Sequence, residues 1–276
     1  MNHELTMAFI GGGNMASALA SGLIGKRCGA SDVHVVDIDE QALSRWREQG
    51  VSTASAADET LSTRRVWIFA VKPQVMKETV AQCKPFLRPD TLVISIAAGI
   101  ESSTLAGWLG SGRPWTRLVR CMPNTPALIG AGASGLLALD GVSDDDKAVA
   151  QLLFKSVGEY VWVENDTQLD AVTALSGSGP AYVFLFLEAM IKGGLELGLS
   201  AEHARKLALA TLRGATELAA LSPETPAALR ERVTSKGGTT AAALAVFESQ
   251  GFEQTVQAAM RAAFDRAGEL ASDFAK

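Results

Sequence analysis

The first half of the chain alternates two hydrophobic patterns. Short apolar runs, mostly rich in β-branched residues, occur at Met7–Ile10, Val33–Val36, Val66–Val71 and Leu92–Ile96. Runs of this length and composition read as strands. Between them, apolar positions recur at helical spacing over residues 14–25, 40–49, 74–83 and 102–109. This rhythm predicts parallel strands joined by helical crossovers. A fifth strand is predicted at Leu118–Cys121. Two more, at Gly135–Leu139 and Tyr160–Val163, flank a helix over residues 145–156.

After Glu164 the pattern changes. No convincing strand follows, and the remainder is rich in alanine, which favours helices that approach closely. Residues 182–197 are apolar nearly all round, which predicts a helix buried on most sides. In so small a helical region that burial calls for a second subunit. Phe252, Val256, Ala259, Ala263, Phe264, Ala267, Ala271 and Phe274 form one apolar stripe at helical spacing. The expected organisation is an α/β domain over residues 1–164 and an all-helical domain over 165–276.

Composition narrows the classes. Of 276 residues, 47% are hydrophobic and 20% charged, enough apolar material for a real core and too much for a disordered chain. The net charge of −5 argues against a globally basic nucleic-acid surface. No uninterrupted apolar run nears the ~20 residues that span a bilayer, and the N-terminus lacks a signal-peptide pattern. Cys28, Cys83 and Cys121 are scattered and odd in number, which reads as reduced thiols in a cytoplasm. With His3, His34 and His203 as the only histidines, neither a metal site nor a histidine base is expected. Neither nucleic acid nor a membrane is therefore expected as a partner.

The chemistry begins at Gly11-Gly12-Gly13-Asn14-Met15-Ala16, which falls between the first strand and first helix and fits G-x-G-x-x-A. Gly11 permits the tight turn, Gly13 lets backbone approach a pyrophosphate, and Ala16 lets the helix pack against the sheet. Amides at the helix start then face the phosphate charge. Asp37 ends the second strand. An acid there hydrogen-bonds the adenosine ribose and disfavours a 2′-phosphate, or it caps the next helix. Ala70-Val71-Lys72-Pro73 and Ala97-Ala98 close two further strands at the carboxyl edge, where open α/β sheets bind ligands. They also read as a solvated helix start and a plain turn.

Three more segments stand out. Met122-Pro123-Asn124-Thr125-Pro126 leaves the fifth strand at the same edge, stiffened by two prolines. Ser176-Gly177-Ser178-Gly179-Pro180 reads as a flexible turn running into a helix. Thr234-Ser235-Lys236-Gly237-Gly238-Thr239-Thr240 runs into a helix expected from Ala241. Its glycines expose amides and its hydroxyls add donors, an anion site suited to a carboxylate or an ordinary helix cap.

Taken together and in this order, these segments resemble the pyrroline-5-carboxylate reductase family, across nearly the whole chain. The resemblance implies a Rossmann-like domain with a mainly parallel, doubly wound sheet, and an all-α domain that dimerises by interlocking with its partner. It implies the last step of proline biosynthesis: hydride transfer from NADPH or NADH to the imine carbon of 1-pyrroline-5-carboxylate. It places Gly11, Gly12, Gly13, Asn14, Met15, Ala16, Asp37, Ala70, Val71, Lys72, Pro73, Ala97, Ala98 and Asn124 around the cofactor. It places Ser176, Gly177, Ser178, Gly179, Pro180, Ser235, Gly237, Gly238, Thr239 and Thr240 on the substrate, with Thr240 bonded to the ring nitrogen as the catalytic residue. The implied assembly is a homodimer or an oligomer of dimers. Departures occur at Asp37, where many relatives carry a small polar residue or arginine, at Ala57, where some carry asparagine, and at Lys236 in place of proline. The first two leave the choice between NADPH and NADH open. Rival readings are a β-hydroxy-acid dehydrogenase, another imine reductase, and a dinucleotide-binding protein without turnover.

Overall fold

A computed structural model describes residues 5–275, so His3 lies outside the described residues. The elements of the sheet region, in chain order, are β1 (Met7–Ile10), α1 (Asn14–Ser21), β2 (Val33–Val36), α2 (Glu40–Glu48), β3 (Ser52–Ala54), β4 (Val66–Phe69), α3 (Pro73–Cys83), β5 (Leu92–Ser95), α4 (Ser102–Leu109), β6 (Leu118–Met122), β7 (Gly132–Ala138), α5 (Asp144–Lys155) and β8 (Gly158–Trp162). The helical region adds α6 (Asp166–Val172), α7 (Gly179–Glu196), α8 (Ala201–Leu221), α9 (Pro226–Arg232), α10 (Thr239–Ser249) and α11 (Phe252–Phe274).

The eight strands are ordered β3-β2-β1-β4-β5-β6-β7-β8. All neighbours are parallel except β6 and β7, which pair antiparallel through Arg120 and Leu137. This is the doubly wound arrangement, with strand order reversing at β1, and it extends beyond six strands by the β7–β8 pair. Every residue of β1, β2, β4 and β5 is buried, as parallel strands covered by helices on both faces must be.

Alternation then splits the core into two layers. Phe9, Val35, Ile68 and Ile94 point to the layer holding α1, α2 and α5, with Leu19, Trp46 and Phe154. Ala8, Val36, Trp67, Phe69 and Val93 point to the layer holding α3 and α4, with Met76, Val80 and Leu105. Each fully buried Leu, Ile or Phe contributes about 1.5–3 kcal/mol relative to exposure. Among them sit buried ions. Asp146 accepts from Arg117 at 2.8 Å and from the Ser143 hydroxyl at 2.8 Å. Arg120, almost fully buried in the middle of β6, pairs with Asp166, which also takes the Ser102 amide at 3.1 Å.

Several expectations change. The edge strand β3 is short, polar and part-exposed, so it lacks the apolar run that marks its neighbours. Helix α1 ends at Ser21 rather than near residue 25, because residues 22–28 fold into turns closed by Gly25 N–H to the Cys28 carbonyl at 2.9 Å. Strand β4 stops at Phe69, which frees residues 70–72 as a loop before α3.

The sheet ends before residue 164, but the compact units divide elsewhere. One comprises the chain through Ser178 together with residues from Ala263 onward; the other is Gly179–Ala262. The last turns of α11 belong with the sheet: Leu270 and Phe274 pack at Gly99, just after β5. Within the second unit, Phe186, Phe247 and Phe252 form an aromatic cluster with centroids 5.2–6.4 Å apart. No residue of α7 is buried in the single chain, against the expectation from its composition. Val183, Phe184 and Leu185 are all more than half exposed. The continuous helical run over residues 166–196 is long and apolar enough, by composition alone, to cross a membrane, which the raw apolar runs did not indicate.

Candidate functional site: a dinucleotide cradle and a second helix-start loop

The cradle forms where β1 hands over to α1. Gly11 adopts φ +101°, and a Cβ there would lie 2.6 Å from the Ala70 carbonyl oxygen. A glycine is required on both counts. The close approach sets Gly11 against Ala70 and Val71 at the carboxyl edge of the sheet. Ala70 N–H reaches the Ile10 carbonyl at 2.7 Å, and Gly11 N–H reaches that of Val36 at 2.8 Å. Gly13 caps α1 in an extended conformation with no side chain on the first-turn amides. Gly13 and Asn14 are exposed, Met15 is half-buried, and Ala16 is fully buried against the sheet. Backbone donors are thus presented outward at the positive end of a helix.

Gly12 is held from both sides. Its N–H donates to Asp37 Oδ2 at 2.5 Å, and its carbonyl accepts from Trp46 Nε1 at 2.9 Å. Asp37 Oδ1 takes the Asp39 amide at 2.8 Å. Asp39, not Asp37, caps α2, accepting from Gln41 N–H at 2.9 Å. Asp37 therefore stands between the glycine loop and the β2–α2 turn. Beside it opens a cavity of about 210 Å³, bounded by Gly11, Asp37, Ile38, Ala57, Val71 and Glu78. Ile38 is 92% exposed here, an apolar side chain that the fold itself does not bury.

The other edge residues divide by role. Lys72 is exposed and precedes α3, with Pro73 at the first helical position. The Ala97 side chain belongs to the core layer with Ala8 and Ile10, whereas Ala98 is half-buried at the edge. Asn124 is buried and its amide is committed at both ends. Oδ1 accepts from Ala133 N–H at 2.8 Å, and Nδ2 donates to the Ser176 carbonyl at 3.0 Å. This ties the end of β6 to residues 176–178. Those residues are not a flexible turn: residues 173–177 form a π-helical turn between α6 and α7, closed by Ser178 N–H to the Thr173 carbonyl at 2.8 Å. Such turns interrupt helices at functional positions.

Gly179 and Pro180 open α7 and so begin the second compact unit, which also holds residues 235–240. There α10 starts at Thr239, two residues earlier than expected, so Thr239 and Thr240 are its first turn. Gly238 N–H folds back onto the Ser235 carbonyl at 3.0 Å. Gly238 caps the helix without a side-chain hydrogen bond, leaving the first amides free as at Gly13. Ser235, Gly237 and Thr239 are exposed, and Thr240 is half-buried.

Trp46, Ile38 and Glu78 were not among the expected site residues. Trp46 shares helical spacing with Ala42 and Leu43 and reads as core; only its indole N–H reveals the second task. Ile38 carried a usable signal, an apolar residue between two aspartates in a turn.

A doubly wound sheet with a glycine cradle at its reversal point and an acid closing β2 defines a dinucleotide-dependent oxidoreductase. The comparisons with known proteins agree. Residues 6–99 match the family model described as NADP oxidoreductase coenzyme F420-dependent, and residues 166–270 match pyrroline-5-carboxylate reductase dimerisation. Over 266 residues, 96% of each chain, the sequence is 45% identical to the pyrroline-5-carboxylate reductase of Pseudomonas aeruginosa. Its structure is similar to that of a pyrroline-5-carboxylate reductase from Coxiella burnetii, with TM-score 0.89, 36% identity, and coverage of 97% and 99% of the two chains. It is also similar to a Plasmodium falciparum pyrroline carboxylate reductase with NADP bound, with TM-score 0.85, 30% identity, and coverage of 97% and 98%. The chain belongs to the pyrroline-5-carboxylate reductase family. Its exposed α7 lies inside the stretch matched by the dimerisation model, so self-association through the helical region accounts for that apolar surface.

Proposed function

We propose that the chain reduces the C=N bond of 1-pyrroline-5-carboxylate to give L-proline, as the final step of proline formation in the cytoplasm. The observation that carries this reading is the pair of helix starts at Gly13 and Gly238, both capped without a side chain. Free amides at a helix start bind anions. One start suits the pyrophosphate of a dinucleotide, the other the carboxylate of a small acid.

The residues present fit the cofactor: the Gly11 backbone clears the space that any Cβ would fill against Ala70, and the neighbouring cavity ends on Asp37. When bound, NADH or NADPH supplies the hydride, so the protein's task is placement and charge. In this reading Gly11 to Ala16 hold the phosphates, and residues 70–73 and Ala98 border the nicotinamide half. Asn124 acts by fixing the π-helical turn at Ser176. Ser235, Gly237, Gly238 and Thr239 hold the substrate carboxylate, while Ser176 to Pro180 line the same pocket across a homodimer. Thr240 donates to the ring nitrogen and orients the imine carbon. The ring nitrogen takes its proton from solvent, and the resulting iminium carbon accepts hydride without any nucleophilic side chain, so placement lowers the barrier, by up to about 7–11 kcal/mol.

The test is optical. Consumption of NADH or NADPH is followed with 1-pyrroline-5-carboxylate and, separately, their formation from the oxidised cofactors is followed with β-hydroxy acids. Turnover confined to the imine is expected. Thr240→Ala is expected to lower kcat/KM by more than about tenfold, or ~1.4 kcal/mol. Turnover of hydroxy acids alone, or binding of dinucleotide without any turnover, would replace this reading.

A further inference from the structure

The ribose end of the nucleotide cavity is acidic and rigid. Asp37 does not project freely from the end of β2. Each carboxylate oxygen already takes a backbone amide, from Gly12 at 2.5 Å and from Asp39 at 2.8 Å. Two fixed amides hold the group in place, and each oxygen keeps acceptor capacity for a hydroxyl. A second carboxylate, Glu78 on α3, lines the same cavity. Among the described residues that line it there is no Lys, Arg or His. Ser55, Ala56 and Ala57 form the facing wall, and two of the three bring no polar side chain.

The arginines of α2 and Arg64 are absent from the residues that line the cavity. Arg47 on α2 pairs with Glu40 and donates to Thr53 Oγ1 at 3.1 Å. A phosphate here would meet two carboxylate residues and no cationic residue in the cavity lining. A pair of vicinal hydroxyls would meet an acceptor already aimed and immobilised.

We propose that this cavity selects the dinucleotide without a 2′-phosphate, NADH over NADPH, with Asp37 as the specificity-determining residue and Glu78 reinforcing it. The proposal rests on the dinucleotide reading of the cradle, and it narrows that reading from either cofactor to one. The Gly12 peptide makes the selection stiff: moving Asp37 aside to admit a phosphate would break the bond to Gly12 N–H and disturb the loop that binds the pyrophosphate.

The experiment has a binding arm and a kinetic arm, both on the full chain. Calorimetry compares adenosine 5′-monophosphate with adenosine 2′,5′-bisphosphate, which differ by the 2′-phosphate. Steady-state assays compare kcat/KM for NADH and NADPH with 1-pyrroline-5-carboxylate. Wild type is expected to favour the unphosphorylated ligand by about tenfold or more in both arms, the sign that like-charge repulsion requires. Asp37→Asn and Asp37→Ser are expected to shrink that ratio by about tenfold, and Glu78→Gln by less, with Asp37→Asn keeping the side-chain shape. Equal or tighter handling of the phosphorylated ligand by wild type overturns the proposal, whatever the variants do. So does a wild-type preference that survives in all three folded variants. Failure of both nucleotides and both dinucleotides to bind would instead remove the dinucleotide reading beneath it.

Discussion

The indole of Trp46 donates to the carbonyl of Gly12 at 2.9 Å, from a side chain only 2% exposed. The same ring stacks on Phe9 of β1 with centroids 6.1 Å apart. One residue of α2 therefore belongs both to the core layer and to the cradle. A Cβ on Gly12 would meet Trp46 Nε1 at 2.9 Å, so the loop and the indole are shaped to each other.

Trp46→Phe keeps most of the apolar packing and removes the donor. The Gly12 carbonyl is then left in a buried place without its partner, which costs about 1–3 kcal/mol. Urea unfolding should show that loss. The KM for the dinucleotide should rise while kcat at saturating cofactor changes little, because Trp46 positions the loop and touches no reacting atom. A fall in kcat with unchanged cofactor KM would contradict this role.

Gly11→Ala tests the cradle itself. The new methyl would lie 2.6 Å from the Ala70 oxygen, at a φ of +101° that alanine rarely adopts. Strain of this kind costs about 1–3 kcal/mol, and relief requires β1 and residues 70–73 to separate. Dinucleotide binding, read by quenching of tryptophan fluorescence, is expected to weaken by at least about tenfold. Binding at wild-type strength would show that the close approach is incidental to the ligand.

His34 gives a pH dependence. It is buried in β2, with Nδ1 2.9 Å from Ser52 Oγ and Nε2 3.4 Å from Asp58. Burial is the largest influence and holds its pKa below the usual 6.5; Asp58 opposes this and the Arg64 charge assists it. A depressed histidine means that, below about pH 6.5, the unfolded chain takes a proton that the folded chain refuses. Stability should be fully present above that pH and decline as pH falls towards the folded value. Thermal unfolding between pH 7 and about 5.5 should show this slope, before most carboxylates titrate. His34→Gln should flatten it. An unchanged slope in that variant would assign the effect elsewhere.

Much of the sheet was legible because its strands are covered twice. Val33–Val36 and Leu92–Ser95 carry apolar side chains on both faces, so the run is unmistakable. Ser52–Ala54 at the edge has one neighbour and no such run, so its sequence carries no strand signal. The cradle was legible because glycine is chemically irreplaceable where Gly11 meets Ala70. The π-helical turn at Ser176 was not. Ser-Gly-Ser-Gly reads as flexibility, and its order comes from Asn124, 52 residues away in the chain. The double hold on Gly12 was hidden for the same reason: Trp46 is separated from it by 34 residues, and its indole looks like any other core ring.

The bare apolar length of α7 ties the fate of each chain to the number of its fellows. Binding of one native copy to another stabilises both by mass action, so unfolding temperature rises with protein concentration. A newly made subunit at low abundance is the vulnerable species. Proteolytic turnover would then fall most heavily on the first few copies to be synthesised and spare those that have already found company.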